Sequence, residues 1–238
     1  IIICGDNNPP DIVRQRALDL NAKFYCADID YKSNNLINID NKANIPISNA
    51  AAVKMLLKVA FFDIYKRDDF KSIFKDKMDN FKLLGRMTKL DGNITGLKSP
   101  IICDGAHNPH AARYLAQYLK QYLDNKNIKL HFVFSAFADK NILGILESVL
   151  KFSSRYNSNW YLYEMDHPRS ESLDDLKIKL KIKLKNNFDK ISQISSIENN
   201  NVKLLHDTLK REVGSEDLVV VFGSFFLLGR VFEYFNIY

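Results

Sequence analysis

A chain of 238 residues that is 46% hydrophobic and 12% aromatic carries enough apolar side chain for a packed core, which excludes a disordered protein. Its net charge of +6 comes from lysines scattered among asparagine and isoleucine; without a basic stripe or interleaved aromatics it does not point to nucleic acid. No apolar run is long enough to cross a membrane, and the three cysteines form no CxxC pair, which argues against a zinc ribbon or a thioredoxin-type site and fits a reducing, cytoplasmic setting.

In chain order, "IIIC" reads as a strand that begins directly and without Met, so an upstream segment is expected. Pro9 and Pro10 are placed to open a helix running to about Asn21. "KFYCADI" is a second short strand, and the polar stretch 30–46 reads as irregular or hairpin-like. Ser48 or Asn49 is expected to cap the Ala-rich helix "AAAVKMLLKVAFFDIY". Residues 66–82 show a weaker helical pattern. "LLGRMTKLDGNITGLKSP" holds three glycines and Pro100, so 85–99 reads as a linker between a first unit (1–84) and a second (100–238).

From Pro100 the rhythm is regular. "IIC" is a strand, and Asn108-Pro109 opens a helix to about Leu123. "KLHFVFSAF" is a strand, and Asp139 is expected to cap the next helix. "NWYLYEM" is a strand, and Ser172 with Asp175 makes a capping box. In "LKIKLKIKL" the isoleucines and leucines alternate like a strand, but Leu173, Leu176, Leu180 and Leu184 also share a helical face, and the cap selects helix. "ISQISSI" is a strand, a helix follows to about residue 213 with Gly214 as its stop, "LVVVFGS" is a buried strand, and a last helix starts near Phe225. Strands with continuous apolar runs alternating with helices predict an α/β, mostly parallel sheet with helices on both faces. In such sheets ligands bind beyond the carboxyl ends of the strands. Asp104, His107, Ser135, Asp139, Lys140, Asp166, His167, Arg169 and Ser224 all fall at such ends, whereas His110, His131 and His206 read as surface or structural.

Four motifs occur in order: Gly85-Arg86, "DGAHNPHAA" at 104–112, "FSAFADKNI" at 134–142 and "VFGSFFLLG" at 221–229, preceded by "IPISNAAA" at 45–52. Together they resemble the C-terminal part of folylpolyglutamate synthase, including its bifunctional relative dihydrofolate synthase, in the Mur ligase superfamily. The resemblance implies a Rossmann-like glutamate-ligase domain preceded by the tail end of an α/β ATPase domain. It implies ATP-dependent joining of L-glutamate to a folate or dihydropteroate carboxylate through an acyl phosphate, with Mg2+, by a monomer. The family's glycine-rich phosphate loop, GxxxxGK[ST], is absent from these residues, as are its metal ligands, so the chain alone is expected to be inactive. Carried over, Asn49, Arg86 and Asp104 match ATP-contacting positions, and His107 and Ser224 match positions near the incoming glutamate, His107 being the catalytic candidate. A guanidinium suits phosphate, and the anionic Asp104 suits ribose hydroxyls. The alternatives are a Mur-type amino-acid ligase of cell-wall synthesis and a non-catalytic nucleotide- or amino-acid-binding module.

Overall fold

The computed structural model describes residues 1–32, 46–123, 128–184 and 190–237. Most of the polar stretch 30–46 lies outside them. The chain divides into two units, Ile1–Lys82 and Leu83–Tyr238.

In the first unit, β1 (Ile2–Cys4) leads through α1 (Asp11–Asp19) to β2 (Phe24–Cys26), which pairs parallel with β1. Pro10 stands just before α1, where its fixed φ and missing N–H cost nothing. After the undescribed segment come α2 (Ile47–Ala60), α3 (Phe62–Tyr65) and α4 (Phe70–Asn80). The capping expectation for Ser48 or Asn49 is corrected. Pro46 precedes α2, no side chain caps it, and Asn49 lies within the first turn with its N–H on the Pro46 carbonyl at 2.9 Å. Phe61, at φ −132°, interrupts what reads in the sequence as one helix. Ala17, Cys26, Ala50, Ala51, Met55, Phe70 and Phe74 are buried, yet Ile12, Leu18, Leu20, Ile29, Phe61 and Phe62 are more than half exposed.

The second unit is built on one sheet. β3 (Thr88–Leu90) and α5 (Gly92–Thr95) come first. Then follow β4 (Ile101–Asp104), α6 (Pro109–Leu123), β5 (Leu130–Phe134), α7 (Ile142–Ser153), β6 (Ser158–Tyr163) and α8 (Leu173–Leu184). β7 (Ile191–Ile197), α9 (Val202–Glu212), β8 (Leu218–Phe222) and α10 (Phe225–Tyr234) complete it. The strand order is β3-β4-β8-β5-β6-β7, with β3 antiparallel to β4 and every other pair parallel. Strand side chains alternate between faces. Ile102, Phe132, Phe134, Trp160 and Phe222 therefore pack under α6, α7 and α8. Ile101, Cys103, Val133, Tyr161 and Val221 pack under α9 and α10. Phe132 against Trp160 (4.7 Å between ring centroids) and Phe134 against Phe222 (4.9 Å) centre the first layer; burial of each such ring stabilises the fold by about 1.5–3 kcal/mol.

Three local expectations meet a different structure. Residues 85–99 hold β3, α5 and the buried Met87, Leu90 and Leu97, so this stretch is folded onto the sheet edge; its glycines serve turns, Gly85 at φ +79° and Gly96 at φ +67°. The cap of α7 is Asn141, whose side chain accepts from the Gly144 N–H, because Asp139 lies two residues too early and is drawn to Arg169. α9 ends because Val213 turns to extended backbone (φ −90°, ψ 123°), not because Gly214 adopts a left-handed turn. At α8 Ser172 caps as read, the Asp175 N–H donating to Ser172 Oγ at 3.1 Å and that hydroxyl donating to the Asp175 carboxylate at 2.7 Å; the Ser172 N–H, however, goes to Glu171 Oε1 at 3.3 Å, so the reciprocal half of the box is not made. Leu176, Leu180 and Leu184 are buried while Ile178 and Ile182 face solvent.

His131 and His206 are structural, as read. The buried His131 ring lies 3.0 Å from both Tyr161 Oη and Asp217 Oδ2, at the sheet edge opposite the carboxyl ends. His206 meets the Thr95 carbonyl at 2.6 Å and Tyr234 Oη at 3.1 Å.

Candidate functional site

Asp104 is the last residue of β4, and its register partner in β8 is Phe222. Because the two strands are parallel, the residues after each leave the same edge. Gly105, Ala106 and His107 therefore emerge beside Gly223, Ser224 and Phe225. The shared edge expected for Asp104, His107 and Ser224 is present, and Arg86 joins it from the turn before β3.

That turn is clamped from both sides. Gly85 takes φ +79° and donates its N–H to Thr88 Oγ1 at 2.9 Å, while its carbonyl accepts from the Gly105 N–H at 2.8 Å. Met87 sits at φ +45°, a left-handed conformation that costs a long side chain free energy, and is held there by its burial and by its N–H donating to Asp104 Oδ2 at 3.1 Å. Arg86 stands between the two positive-φ residues. Its guanidinium carbon lies 4.8 Å from the centre of the Phe225 ring, within cation–π range.

Asp104 is only 2% exposed. Burial pushes its carboxyl up to about 6, against the opposing pull of the Met87 N–H, the Arg86 charge, the Ala106 N–H and His107. His107 is half-buried, and its Nδ1 lies 2.7 Å from the Gly105 carbonyl. A carbonyl only accepts, so Nδ1 carries the proton, and Nε2 is left as the acceptor or as a second donor when the ring is charged. The His107 ring is 5.8 Å from that of Phe225. Ser224 is 3% exposed and caps α10, its Oγ accepting the Phe226 N–H at 3.1 Å. Asn108 caps α6 in the same way, accepting the Ala111 N–H at 2.8 Å.

Phe225 is the residue that sequence reasoning did not single out. It is 43% exposed although it opens an apolar helix, and its ring fills the space over Gly105 so closely that a Cβ there would come within 2.4 Å of it. It thus touches Gly85, Arg86, Gly105 and His107 at once. "FFLL" in isolation reads as core. The usable signal is the pair of glycines, Gly85 just before Arg86 and Gly105 just after Asp104.

A second group gathers at the same edge, beyond β5 and β6. Arg169 grips Asp139 with two nitrogens (2.8–3.2 Å), Lys140 adds a contact at 3.0 Å, and these cations hold the Asp139 carboxyl down at about 2. Arg169 also lies over Phe137 at 4.7 Å, and Phe137 packs on His167, which meets Phe226 at 5.3 Å. His167 Nδ1 accepts the Arg169 N–H at 3.1 Å, which fixes the proton of the neutral ring on Nε2. The consecutive residues Phe225 and Phe226 thus each anchor one cluster. Between β5 and β8, the buried Ser135 Oγ has no hydrogen-bond partner among the described residues. Asn49 belongs to the first unit, where it is exposed. Among the described residues no three His, Cys, Asp or Glu side chains are grouped to hold a metal ion, and no helix is long and apolar enough to cross a membrane.

Comparison with known proteins places this edge in context. Residues 87–234 match the family described as "Dihydrofolate synthetase, C-terminal domain". The dihydrofolate synthase/folylpolyglutamate synthase of Buchnera aphidicola subsp. Schizaphis graminum is 28% identical over 189 residues, 79% of this chain and 38% of that protein. The protein of the same name from Haemophilus influenzae is 25% identical over 94% of this chain and 53% of its own length. In three dimensions the chain is similar to the crystal structure of a bifunctional folylpolyglutamate synthase/dihydrofolate synthase from Yersinia pestis, complexed with AMPPNP and Mn ion. There the TM-score is 0.71 at 24% identity, covering 98% of this chain and 52% of that one. The chain therefore spans about half the length, or less, of the relatives it matches.

Proposed function

Because the chain belongs to the family described as "Dihydrofolate synthetase, C-terminal domain", we propose that it is the glutamate-accepting part of an ATP-dependent ligase that joins L-glutamate to the carboxylate of a folate or of dihydropteroate. The observation that carries this reading is the Phe225 ring, which joins Arg86 and His107 into one constellation at the carboxyl edge of a parallel sheet.

ATP with Mg2+ supplies the phosphoryl group that turns the folate carboxylate into an acyl phosphate, releasing ADP. The residues present fit part of that demand. Arg86 offers a fixed cation to phosphate oxygens, and the turn that Asp104 and Gly105 clamp keeps it from collapsing onto its own backbone. Asp104, buried and engaged with Met87, holds the turn that carries Arg86, and its contact with the ribose hydroxyls of ATP rests on the family resemblance alone. The Gly105 carbonyl fixes the His107 ring through Nδ1, which leaves Nε2 as the acceptor of the neutral ring. A lone pair held there accepts a hydrogen bond from the α-ammonium of glutamate and takes its proton, leaving the neutral amine that attacks. Ser224 accepts through Oγ from Phe226, so its own proton remains to donate to a carboxylate oxygen of the amino acid. Asn49 is assigned to the nucleotide on the family resemblance alone.

The test is product formation by this chain joined to a phosphate-loop ATPase half of the same family. ATP, L-glutamate and dihydropteroate or a reduced folate are each omitted in turn, and then other amino acids are offered. An amide product requiring all three, and lost when L-alanine replaces glutamate, is the expected result. Turnover with another amino acid or with a nucleotide-linked peptide acceptor would replace the reading with a cell-wall type of ligase.

A further inference from the structure

The first unit contains two thiols that the proposed ligase chemistry does not use. Cys4 ends β1, Cys26 ends β2, and they are register partners in this parallel pair. Neighbouring strands lie about 4.8 Å apart and registered side chains leave the sheet on one face. That places the two α-carbons inside the span of roughly 4.4–6.8 Å that a disulfide bridges. The sulfurs converge: the Cys26 thiol donates to the Asp6 carbonyl at 3.0 Å, and the Cys4 thiol donates to the same oxygen at 3.6 Å. The backbones are also held from one side. The Cys26 N–H donates to Asp30 Oδ2 at 2.7 Å, and Tyr31 Oη donates to the Cys4 carbonyl at 2.7 Å.

From this register and shared acceptor we infer that Cys4 and Cys26 form a dithiol that closes to a reversible disulfide, a redox-modification site at the carboxyl ends of the first unit's strands.

The two cysteines differ in access, which sets the order of events. Cys26 is fully buried, whereas Cys4 is partly exposed and followed by the exposed residues 5–8. Burial pushes the Cys26 thiol up, and Arg14 partly offsets this. Cys4, as thiolate, therefore attacks a small-molecule disulfide such as oxidised glutathione. That S–S bond breaks and one glutathione thiolate leaves. Cys26 then gives up its proton and attacks the Cys4 sulfur of the mixed disulfide, and the second glutathione thiolate departs. Two electrons and two protons pass from the protein to the small disulfide. Metal capture by the pair is disfavoured, since among the described residues no third His, Cys, Asp or Glu completes a site. Cys103, fully buried in β4 of the other unit, is an internal control.

The experiment equilibrates the 238-residue chain with reduced and oxidised glutathione, quenches with acid, alkylates the free thiols and maps peptides by mass spectrometry. The expected product is a Cys4–Cys26 linked peptide with Cys103 still free. Glutathione on Cys4 should be about ten-fold or more less abundant than in Cys26→Ser, because the second thiol acts at a high effective concentration. Dibromobimane, which bridges only closely spaced thiols, should cross-link the same two residues in the native protein, and this reading stands even if Cys26→Ser does not fold. Glutathione that persists on Cys4 in the wild type, linkage between chains, or no cross-link in the native protein would each overturn the proposal.

Discussion

The Met87 N–H donates to Asp104 Oδ2 across 3.1 Å, and this one hydrogen bond ties the Arg86 turn to the carboxyl end of β4. It joins a residue with unfavourable left-handed backbone to a carboxyl group that burial keeps from ionising easily. Such arrangements persist where the surrounding fold over-determines them.

The pH dependence of this bond can be measured. The Asp104 carboxyl is pushed up to about 6 from an ordinary 3.8. The folded state therefore favours the protonated acid. That advantage is complete below the unfolded value and is lost as pH rises through about 6, a cost of roughly 2–3 kcal/mol for ionising the buried group. Asp104→Asn cannot ionise. The stability of the variant relative to wild type should therefore rise by about that amount between roughly pH 4 and pH 8 in denaturant titrations. A constant difference across this range would mean that Asp104 is not held up by burial.

If the chain acts as the proposed ligase, Arg86 and His107 should separate kinetically once it is joined to a phosphate-loop ATPase half. Arg86→Ala removes a fixed cation from developing phosphate charge, and kcat/KM for ATP should drop by the equivalent of about 2–4 kcal/mol. His107→Ala removes the proposed base and should lower kcat as well as raise the KM for glutamate, a loss of roughly 10²-fold or more in kcat/KM for glutamate. Steady-state kinetics with ATP and glutamate varied separately decide this. Wild-type behaviour toward ATP in the first variant, or toward glutamate in the second, would remove that residue from its assigned role.

Two glycines at the same edge should behave in opposite ways. The three atoms nearest a methyl group at Gly105 all belong to the Phe225 ring, at 2.4–2.7 Å, and that ring is exposed enough to swing aside. Gly105→Ala should therefore cost about 1 kcal/mol or less in stability, while displacing the ring that Arg86 and His107 share and impairing both substrates. At Gly223, φ is +104° and the added carbon would sit 2.2 Å from the Ser135 carbonyl, which is backbone. Gly223→Ala should cost about 3 kcal/mol or more. Equal thermal stability of the two variants would contradict the geometry.

Ser224 offers a further test, because it caps α10 and also carries a proton free to donate in the proposed role. Ser224→Ala should lose about 1 kcal/mol with the cap, and Ser224→Asp should restore most of it. If the hydroxyl also meets glutamate, neither variant regains the wild-type KM. Full activity in Ser224→Ala would reduce the residue to a cap.

Much of this was legible in the sequence, and the reasons are local. Continuous apolar strands and capped helices fix their own type, so the order of elements from Ile101 to Tyr234 reads directly, and the alternation in 178–184 yields to the cap at Ser172. Which strand lies beside which is not local, and β8 between β4 and β5 is what brings Phe225 to Arg86. No spacing in the linear chain pairs Gly105 with Phe225. The stretch 85–99 misled for a physical reason. Glycines that serve left-handed turns look the same in sequence as glycines that serve flexibility, and only the pairing of β3 with β4 tells them apart. Asp139 was read as a cap because cap preference is shared by Asp and Asn; Arg169, thirty residues away, claims it.

The cap at α8 also bears on which structure an ambiguous segment adopts. In the folded protein Ile178 and Ile182 lie on the solvent side of a helix. Extended, the same segment would put its apolar residues on one side and its lysines on the other, the pattern of a half-buried strand. The Ser172–Asp175 contacts form between near neighbours and need no long-range closure, so they commit the segment to helix early. Their part in the fold is therefore to choose helix over strand for residues whose own pattern fits both.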